Sequence, residues 1–261
     1  MTLAKYHAHP AISRSKLWWA HESPAAYKYF SEHPPEQTPD LLFGAALHKL
    51  VLEPQSFDVE YAILPPTLNR NSYQGKQIIE AAKIVGKEVL RAVEMENIVK
   101  MRDALMDHKT VSYFVEEGIR EYSIFWTDEE TQEPLKCRPD IFIANDDLHI
   151  IADIKTCASA DTEDFTRSCL RYGYAMQAAM YIEGVKTQYP GEYSFLFFAV
   201  EKTPPYSVNV MQMDQAFIDY GYIQFRDLLT TVHKCKETGI WFGKNGAENN
   251  INKILLPSWA D

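Results

Sequence analysis

The sequence predicts a mixed α/β domain with a helical N-terminal part. The first hundred residues have the pattern of helices joined by proline-rich connections. Residues 121–156 hold three β-branched and aromatic runs, and residues 162–236 alternate helical stretches with two further apolar runs. Helices followed by a sheet, and then by a helix and more sheet, are typical of this class. With 261 residues, 46% of them hydrophobic, the chain can form one large domain or two small ones.

Capping residues and prolines delimit the N-terminal helices. Ser13 is expected to cap the helix RSKLWWAHE, and Pro24 is expected to open the helix PAAYKYF. Asp40 is the predicted N-cap of LLFGAALHKLVLE, which Pro54 should end. One long helix is predicted from about Gly75 to His108.

The middle of the chain predicts an antiparallel meander. Its three strands are EYSIFWTD, LKCRPDIFIA and LHIIADIKT, separated by turn residues. Then follow a short helix near Thr162–Leu170, a stronger helix in YGYAMQAAMYIEGVKTQY, and the strands YSFLFFAVEK and YSVNVMQM. Asp214 should cap a last helix that ends near Lys236, and the tail GKNGAENNINKILLPSWAD is predicted to be irregular.

Charge and cysteine content restrict the class of protein. The net charge of −10 disfavours nonspecific binding to nucleic acid, which needs a basic surface. It does not exclude such binding, because carboxylates that hold a divalent cation would account for part of the charge. The sequence has no apolar run of about 20 residues and no apolar signal-peptide core at its start. Its four cysteines are far apart, which argues against a disulfide framework or zinc ribbon, so we expect a cytoplasmic protein without membrane association.

The segment CRPDIFIANDDLHIIADIKT places charged residues at the ends of two apolar strands. If Asp146 and Asp147 form a two-residue turn, Asp140 lies opposite Asp153 in the hairpin. Opposed residues have Cβ atoms about 5 Å apart, so the two carboxylates would repel each other. Lys155 is two residues beyond Asp153 and therefore points to the same face of the strand.

A divalent cation would turn this repulsion into binding. Magnesium prefers oxygen ligands, among them carboxylates and the oxygens of a substrate phosphate. Asp140 and Asp153 therefore predict a metal site that polarises a phosphodiester and activates a water molecule, with Lys155 orienting that water or stabilising the developing charge. The spacing by itself leaves open a surface hairpin with charged ends.

Four residues elsewhere are candidates for the same site. Glu121 opens the preceding strand, and His48 lies in an apolar helix four residues after Gly44. Gln177 and Tyr181 are four residues apart and share a helix face. Taken singly, each has an ordinary alternative: a solvated strand-edge acid, a hydrogen-bonded core histidine and a half-buried polar pair.

Taken together and in this order, these residues resemble the motifs of the RecB-like branch of the PD-(D/E)xK nucleases. That branch has a helical GxxxH, a strand acid, a PD, a DxK and a QxxxY helix. The matching residues are Gly44 and His48, Glu121, Pro139-Asp140, Asp153-Ile154-Lys155, and Gln177 and Tyr181.

The chain is similar, from end to end, to the RecE-type exonucleases, that is, to the C-terminal nuclease domain of exonuclease VIII. The similar segments are YHAHPAISRS, FGAALHKLVLEP, NRNSYQGK, the run from EYSIFW to CRPD, ADIKT and LPSWA. The resemblance implies a PD-(D/E)xK nuclease core with a central mixed β-sheet flanked by helices, in a single domain over residues 1–261. It also implies that the long N-terminal extension of the type protein is missing.

The resemblance further implies a magnesium-dependent 5′→3′ exonuclease on linear double-stranded DNA. Such an enzyme uses two metal ions, with Mn²⁺ able to replace Mg²⁺, and leaves 3′ overhangs for a single-strand annealing recombinase of prophage recombination. The family works as a homo-oligomeric ring around the DNA. Two alternatives remain at this point: an endonuclease or junction resolvase on the same core, and a catalytically silent DNA-binding module.

The family roles can be carried over to the matching metal-site residues. Asp140 and Asp153 would hold the metal ions, helped by the backbone carbonyl of Ile154. His48 would ligate or orient the second ion, and Glu121 would support the site. No iron–sulfur cluster is expected, because the cysteines lack the grouping that some RecB-like nucleases have.

The remaining roles concern water, phosphate and DNA. Lys155 would act on the attacking water, while Gln177 and Tyr181 would position a phosphate or the DNA strand. Basic residues inside the similar segments are candidates for contact with DNA phosphates: Arg14, Arg70, Lys76 and Arg138.

Overall fold

A computed structural model of the chain describes residues 1, 3–246, 251 and 253–255. Within this part the helices are α1 (Leu3–Ala8), α2 (Arg14–Glu22), α3 (Pro24–Glu32), α4 (Pro39–Leu52), α5 (Phe57–Glu60), α6 (Tyr73–Ile84), α7 (Ala92–Asp107), α8 (Lys109–Glu117), α9 (Thr162–Tyr172), α10 (Tyr174–Lys186) and α11 (Gln215–Thr238). The strands are β1 (Ile12–Ser13), β2 (Tyr61–Leu64), β3 (Glu88–Arg91), β4 (Ile119–Arg120), β5 (Ile124–Thr127), β6 (Pro134–Cys137), β7 (Ile141–Ala144), β8 (His149–Cys157), β9 (Ser194–Glu201) and β10 (Val208–Met213).

A five-stranded mixed sheet in the order β10-β9-β8-β7-β4 forms the centre of the fold. Its strand β8 pairs antiparallel with β7 and parallel with β9. Successive residues of these strands enter two different hydrophobic cores, because side chains alternate between the faces of a sheet. Ile141 and Ile143 pack with α4, α7 and α8, whereas Phe142 packs with α9 and α10. The predicted mixed sheet between helices is confirmed.

The predicted meander is wrong, because its strands lie in two sheets. The run LKCRPDIFIA is divided into β6 and β7 by Arg138, Pro139 and Asp140. Proline has no backbone N–H to donate to a sheet ladder, so the run is interrupted at this point. Strands β5 and β6 form a small sheet with β1, while β7 belongs to the central sheet. The interruption leaves Asp140 at the start of a buried strand.

The N-terminal helices agree with the sequence except for one cap and one long helix. The Ser13 side chain caps α2, and Pro24 opens α3 as predicted. Thr38, and not Asp40, caps α4, because Pro39 takes the first helical position. Residues 75–108 form α6, β3 and α7 instead of one helix. Gly86, with φ of 73°, follows the end of α6, and the next residues pair with β2.

The C-terminal half follows the prediction closely. Gly173, with φ of 65°, separates α9 from α10, and Asp214 caps α11 through its side chain. Residues 243–246, 251 and 253–255 of the predicted irregular tail form neither helix nor strand, and the segment LPSWA lies outside the described residues. Among the helices that the structure describes, none is long and apolar enough to cross a membrane.

Candidate active site

The β7–β8 hairpin has the predicted register. Its pairs run from Ala144 opposite His149 to Ile141 opposite Ala152, so the next position brings Asp140 opposite Asp153. The side chain of Asn145 closes the turn by accepting hydrogen bonds from two backbone N–H groups. The two acids are therefore held at one end of a rigid, buried pair of strands.

Asp140 is buried and receives two contacts on the same oxygen. Its Oδ2 accepts a 2.7 Å hydrogen bond from the Ile154 N–H and lies 3.2 Å from His48 Nδ1. Burial lowers the pKa of His48, but the charge and hydrogen bond of Asp140, together with the charge of Asp153, outweigh burial and raise that pKa to about 9. Burial raises the pKa of Asp140, but His48 and Lys155 hold it below its usual value. In the metal-free protein, a protonated His48 thus neutralises Asp140 at neutral pH.

Asp153 is only 2% exposed and has both carboxylate oxygens occupied. The Gln177 amide donates a hydrogen bond to Oδ1, and the Lys155 ammonium pairs with Oδ2. Burial raises the pKa of Asp153, and the nearby Asp140 raises it further against the opposing effect of Lys155. The pKa of Lys155 is itself raised: burial lowers it, but the charge and hydrogen bond of Asp153, together with the electrostatic effects of Tyr174 and Asp140, more than compensate.

Glu121 joins Asp140 from outside the central sheet. The prediction that Glu121 opens a strand is wrong. It lies between β4 and β5 with a left-handed φ of 50°. Such a φ is uncommon for a residue other than glycine and is typical of tightly constrained positions. The Glu121 N–H donates a 2.9 Å hydrogen bond to the Asp140 carbonyl. The Arg138 guanidinium holds the Glu121 carboxylate and donates a 2.7 Å hydrogen bond to Ser123 Oγ.

These contacts bring together possible metal-ligand atoms in an arrangement that fits a divalent cation. One ligand atom each from His48, Glu121 and Asp140 lies within 4.8 Å of the others. Burial raises the pKa of Glu121, and the charge of Asp140 raises it further, although Arg138 lowers it. The site therefore disfavours a second negative charge until a cation compensates it. The two carboxylates are the kind of ligand that Mg²⁺ and Mn²⁺ prefer, and the imidazole would add a nitrogen ligand beside them.

The acids open into a cleft of about 690 Å³. Two aromatic side chains that the sequence did not mark as functional, Trp18 and Tyr174, line it beside the acids. The Tyr174 ring lies 4.8 Å from the Lys155 ammonium, and Arg14 lies over the ring of Trp18. No spacing rule distinguishes Trp18 or Tyr174 from the other aromatic residues, since only the packing of α2 beside α10 brings them here.

Comparison with known proteins identifies the family. A family described as "PDDEXK-like domain of unknown function (DUF3799)" matches residues 13–251. The chain belongs to this family. Its mixed sheet, with Asp140 and Asp153 at one end, is therefore a PD-(D/E)xK nuclease fold, as the motif residues implied. The RecE-type specificity stays a prediction.

One solved structure resembles the chain over nearly its whole length. It is a protein from Eubacterium rectale named "Putative exonuclease", with a TM-score of 0.66 and 14% identity, covering 98% of this chain and 96% of that chain. At this identity the likeness supports the fold. A protein named SSO0001 has a TM-score of 0.30 and 14% identity over 71% of this chain and 84% of that chain, which is too low to support an argument. No curated protein matches the sequence.

In this PDDEXK-like protein, the two residues of the QxxxY motif have different surroundings. Gln177 faces Asp153 and lines the cleft. Tyr181 lies one turn further along α10, partly buried in the apolar layer near Phe195, and does not line the cleft. Burial raises the pKa of Tyr181 well above its usual value. The geometry thus supports a positioning role for Gln177 and a packing role for Tyr181.

The four basic candidates for DNA contact separate into two groups. Arg14 and Arg138 line the cleft that contains Asp140, although Arg138 is already engaged by Glu121. Arg70 lines a different pocket of about 510 Å³, where it donates a hydrogen bond to the Val89 carbonyl. Lys76 is exposed on α6. The structure brings the first two together with the acids and places the other two on a separate part of the surface.

Proposed function

We propose that this protein is a divalent-metal-dependent exonuclease that degrades the 5′ strand of linear duplex DNA and leaves a 3′ single-stranded overhang. The observation that supports a nuclease most strongly is the convergence of Asp140, Asp153 and Lys155 at one end of a buried sheet in a member of the PDDEXK-like family. The substrate and the 5′→3′ polarity rest on the similarity to RecE-type exonucleases.

The proposed ligands of the metal ions are His48, Glu121, Asp140, Asp153 and the Ile154 carbonyl. Bound ions would stabilise negative charge on the scissile phosphate and lower the pKa of a water molecule, which is the chemistry that phosphodiester hydrolysis requires. Mg²⁺ is the expected ion, and Mn²⁺ is expected to replace it. The buried acids give the site the charge that such ions need.

The chain's own residues orient these groups. Gln177 fixes the rotamer of Asp153, and Arg138 fixes the Glu121 carboxylate. The Lys155 ammonium lies between Asp153 and the Tyr174 ring, from where it can donate a hydrogen bond to a water or phosphate oxygen in the cleft. The Arg14 guanidinium supplies a further positive charge, and its Nε has no hydrogen-bond partner among the described residues.

The proposal includes a wider context that the same resemblance supports. The protein would act as a homo-oligomeric ring around DNA and would pass its 3′ overhang to a single-strand annealing recombinase of a prophage. An endonuclease or junction resolvase on the same core is the second candidate, and a catalytically silent DNA-binding module is the third. The complete set of acids around Lys155 argues against the silent module.

Digestion of 5′-phosphorylated linear duplex DNA tests the proposal. With Mg²⁺ the wild type should release nucleotides from the 5′ strand, and EDTA should stop the release. Asp153→Asn should lower the rate roughly a hundredfold or more, since even outer-shell partners of metal ligands change activity about 10- to 100-fold. Asp147→Asn is the matched control, because Asp147 is an exposed acid in the turn of the same hairpin.

Each part of the proposal can fail separately in this assay. Equal activity of Asp153→Asn and the wild type would contradict the site. Release from the 3′ end would contradict the polarity. Cleavage of closed circular duplex at the rate of linear duplex would support the endonuclease instead.

A further inference from the structure

The catalytic cleft continues beyond Lys155 into a second cleft of about 450 Å³. We call this second cleft the side arm; it is formed by residues 156–159, the face of α9 that carries Arg167 and Arg171, and the Tyr172 side chain. The two clefts have four lining residues in common: Thr156, Tyr172, Tyr174 and Lys202. A polymer bound beside the acids can therefore continue into the side arm.

The side arm is basic, although the chain as a whole is acidic. Three cationic side chains line it, against the single carboxylate of Asp164. Arg167 is paired with Glu163 and Asp164, and Lys202 lies 3.1 Å from an Asp40 oxygen. Arg171 is exposed and forms no ion pair with the described residues. Its charge is available to an anionic ligand such as a phosphate.

Two neighbouring tyrosine rings, Tyr172 and Tyr174, connect the side arm with Lys155. The Tyr174 ring lies 4.8 Å from the Lys155 ammonium and 5.8 Å from the Tyr172 ring. Tyr172 is 49% exposed at the junction of the two clefts. Gly173, with φ of 65°, separates the two tyrosines in the chain, and an added Cβ there would lie 2.4 Å from the Trp18 ring. Tyr172 is thus an exposed aromatic surface on a constrained turn.

We propose that the side arm binds a single-stranded segment of the DNA strand that passes through the catalytic cleft. Arg171 and Lys202 would contact its phosphates, and a base would stack on Tyr172. Exposed aromatic rings beside a basic groove are how proteins bind single strands of any sequence. A duplex fits this arrangement less well, because its bases are stacked on one another and hidden from Tyr172. The inference rests on the proposed function, since it extends the path of the strand that is cut.

Binding of a fluorescein-labelled oligothymidine of about 20 nucleotides, measured in EDTA, tests the side arm without catalysis. Tyr172→Ala should weaken binding about 5- to 150-fold, as expected for the loss of one stacked base. Tyr113→Ala is the matched control, because Tyr113 is 48% exposed on α8 and lines none of the clefts described. This control should bind like the wild type.

Charge reversal tests the phosphate contact. Arg171→Glu should weaken binding and reduce the slope of log affinity against log salt by roughly 0.7 for the lost phosphate contact. Lys109→Glu makes the same change of net charge at an exposed position of α8, at the helix N-terminus where a carboxylate is favourable, and should leave the slope unchanged.

The outcomes separate the side arm from the proposed function. Equal oligothymidine affinity of Arg171→Glu and Lys109→Glu would overturn the proposed role of the side arm. An equal loss of affinity for blunt duplex and for single strands in Tyr172→Ala and Arg171→Glu would overturn it as well. The p-nitrophenyl ester of thymidine 5′-phosphate is short enough to need only the catalytic cleft. If the wild type with Mn²⁺ hydrolyses neither this ester nor DNA, the proposed function fails, whatever the binding data show.

Discussion

Asp140 and Asp153 are both buried, and each has a counter-charge of its own. Asp140 faces His48, and Asp153 faces Lys155. Two unpaired carboxylates at directly opposed strand positions would each strongly raise the other's pKa. Here the repulsion is partly neutralised before any cation binds, which explains how the fold tolerates the pair. A bound cation then has to compete with the His48 proton and the Lys155 ammonium.

Another buried acid, Asp128, lies outside the candidate site and stabilises the fold. It is 4% exposed, accepts hydrogen bonds from the N–H and hydroxyl of Thr131, and pairs with Arg226 of α11. Burial raises the pKa of Asp128, but the hydrogen bonds from Arg226 and Thr131 outweigh burial and hold that pKa below its usual value. The acid therefore ties the β5–β6 hairpin to α11 in its charged form.

Asp128→Asn should destabilise the protein by about 2 kcal/mol at pH 7, the amount expected for hydrogen bonds to a charged group. Because the folded pKa is the lower one, the unfolded chain takes up the proton first as the pH falls below about 4. The stabilisation is thus present above that pH and lost below it. Urea unfolding at pH 7 and pH 3 should show a difference between variant and wild type that shrinks in acid.

Asp227→Asn is the control for this pH dependence, because Asp227 is exposed on the same helix next to Arg226. It should change the free energy of unfolding little at either pH. A constant difference between Asp128→Asn and the wild type at both pH values would show that the charge of Asp128 is not what stabilises the fold.

At the scale of elements, helix α4 places a glycine in the wall of the cleft. Gly44 lies one turn before His48 and lines the cleft, and an added Cβ would meet only Thr156 Oγ1, at 3.8 Å. Packing therefore does not require glycine at this position. At Gly221 of α11, in contrast, an added Cβ would lie 2.0 Å from the Ala175 carbonyl oxygen of α10. That glycine is required by the close approach of two helices.

The two glycines predict opposite results on substitution. Gly44→Ala should raise the free energy of unfolding by about 0.5–1 kcal/mol, because alanine is the better helix former, and should lower nuclease activity by narrowing the cleft. Gly221→Ala should lower that free energy by about 1–3 kcal/mol through steric overlap. Thermal unfolding and DNA digestion measure both. A destabilised Gly44→Ala variant with full activity would contradict the role given to Gly44.

At the scale of the whole molecule, the site lies where two sheets meet. The central sheet supplies Asp140, Asp153 and Lys155, while Glu121 comes from the connection between β4 and the small sheet. Helix α4 adds His48 from one side of the central sheet, and α10 adds Gln177 from the other. The site is therefore complete only when both layers of helices have packed on the sheet.

The proposed ring is also a property of the whole molecule. A ring needs at least three copies of the 30.0 kDa chain, so sedimentation equilibrium should give a mass of at least about 90 kDa at micromolar concentration. A ring that encloses DNA should also make digestion processive. A mass of 30.0 kDa at all concentrations would contradict the ring, while leaving the proposed metal site unaffected.

Much of the fold was predictable because it depends on short-range rules. Caps at Ser13 and Asp214 follow from side chains that bond their own backbone, and both were predicted correctly. The predicted helix over residues 75–108 failed because Val89 and Leu90 are recruited into a strand by pairing with distant β2. Strand pairing of this kind is a tertiary effect that overrides helical preference.

Given a two-residue turn at Asp146 and Asp147, the sequence by itself determined the register that sets Asp140 opposite Asp153, because such a turn leaves one pairing. It also determined the order of the motif residues, which was enough to indicate the superfamily. Only the tertiary structure decided that Glu121 meets Asp140 and His48, since this requires a left-handed backbone at the gap between two sheets. The side arm beyond Tyr172 was equally beyond reach of the sequence, because it exists only where α9 packs beside the end of β8.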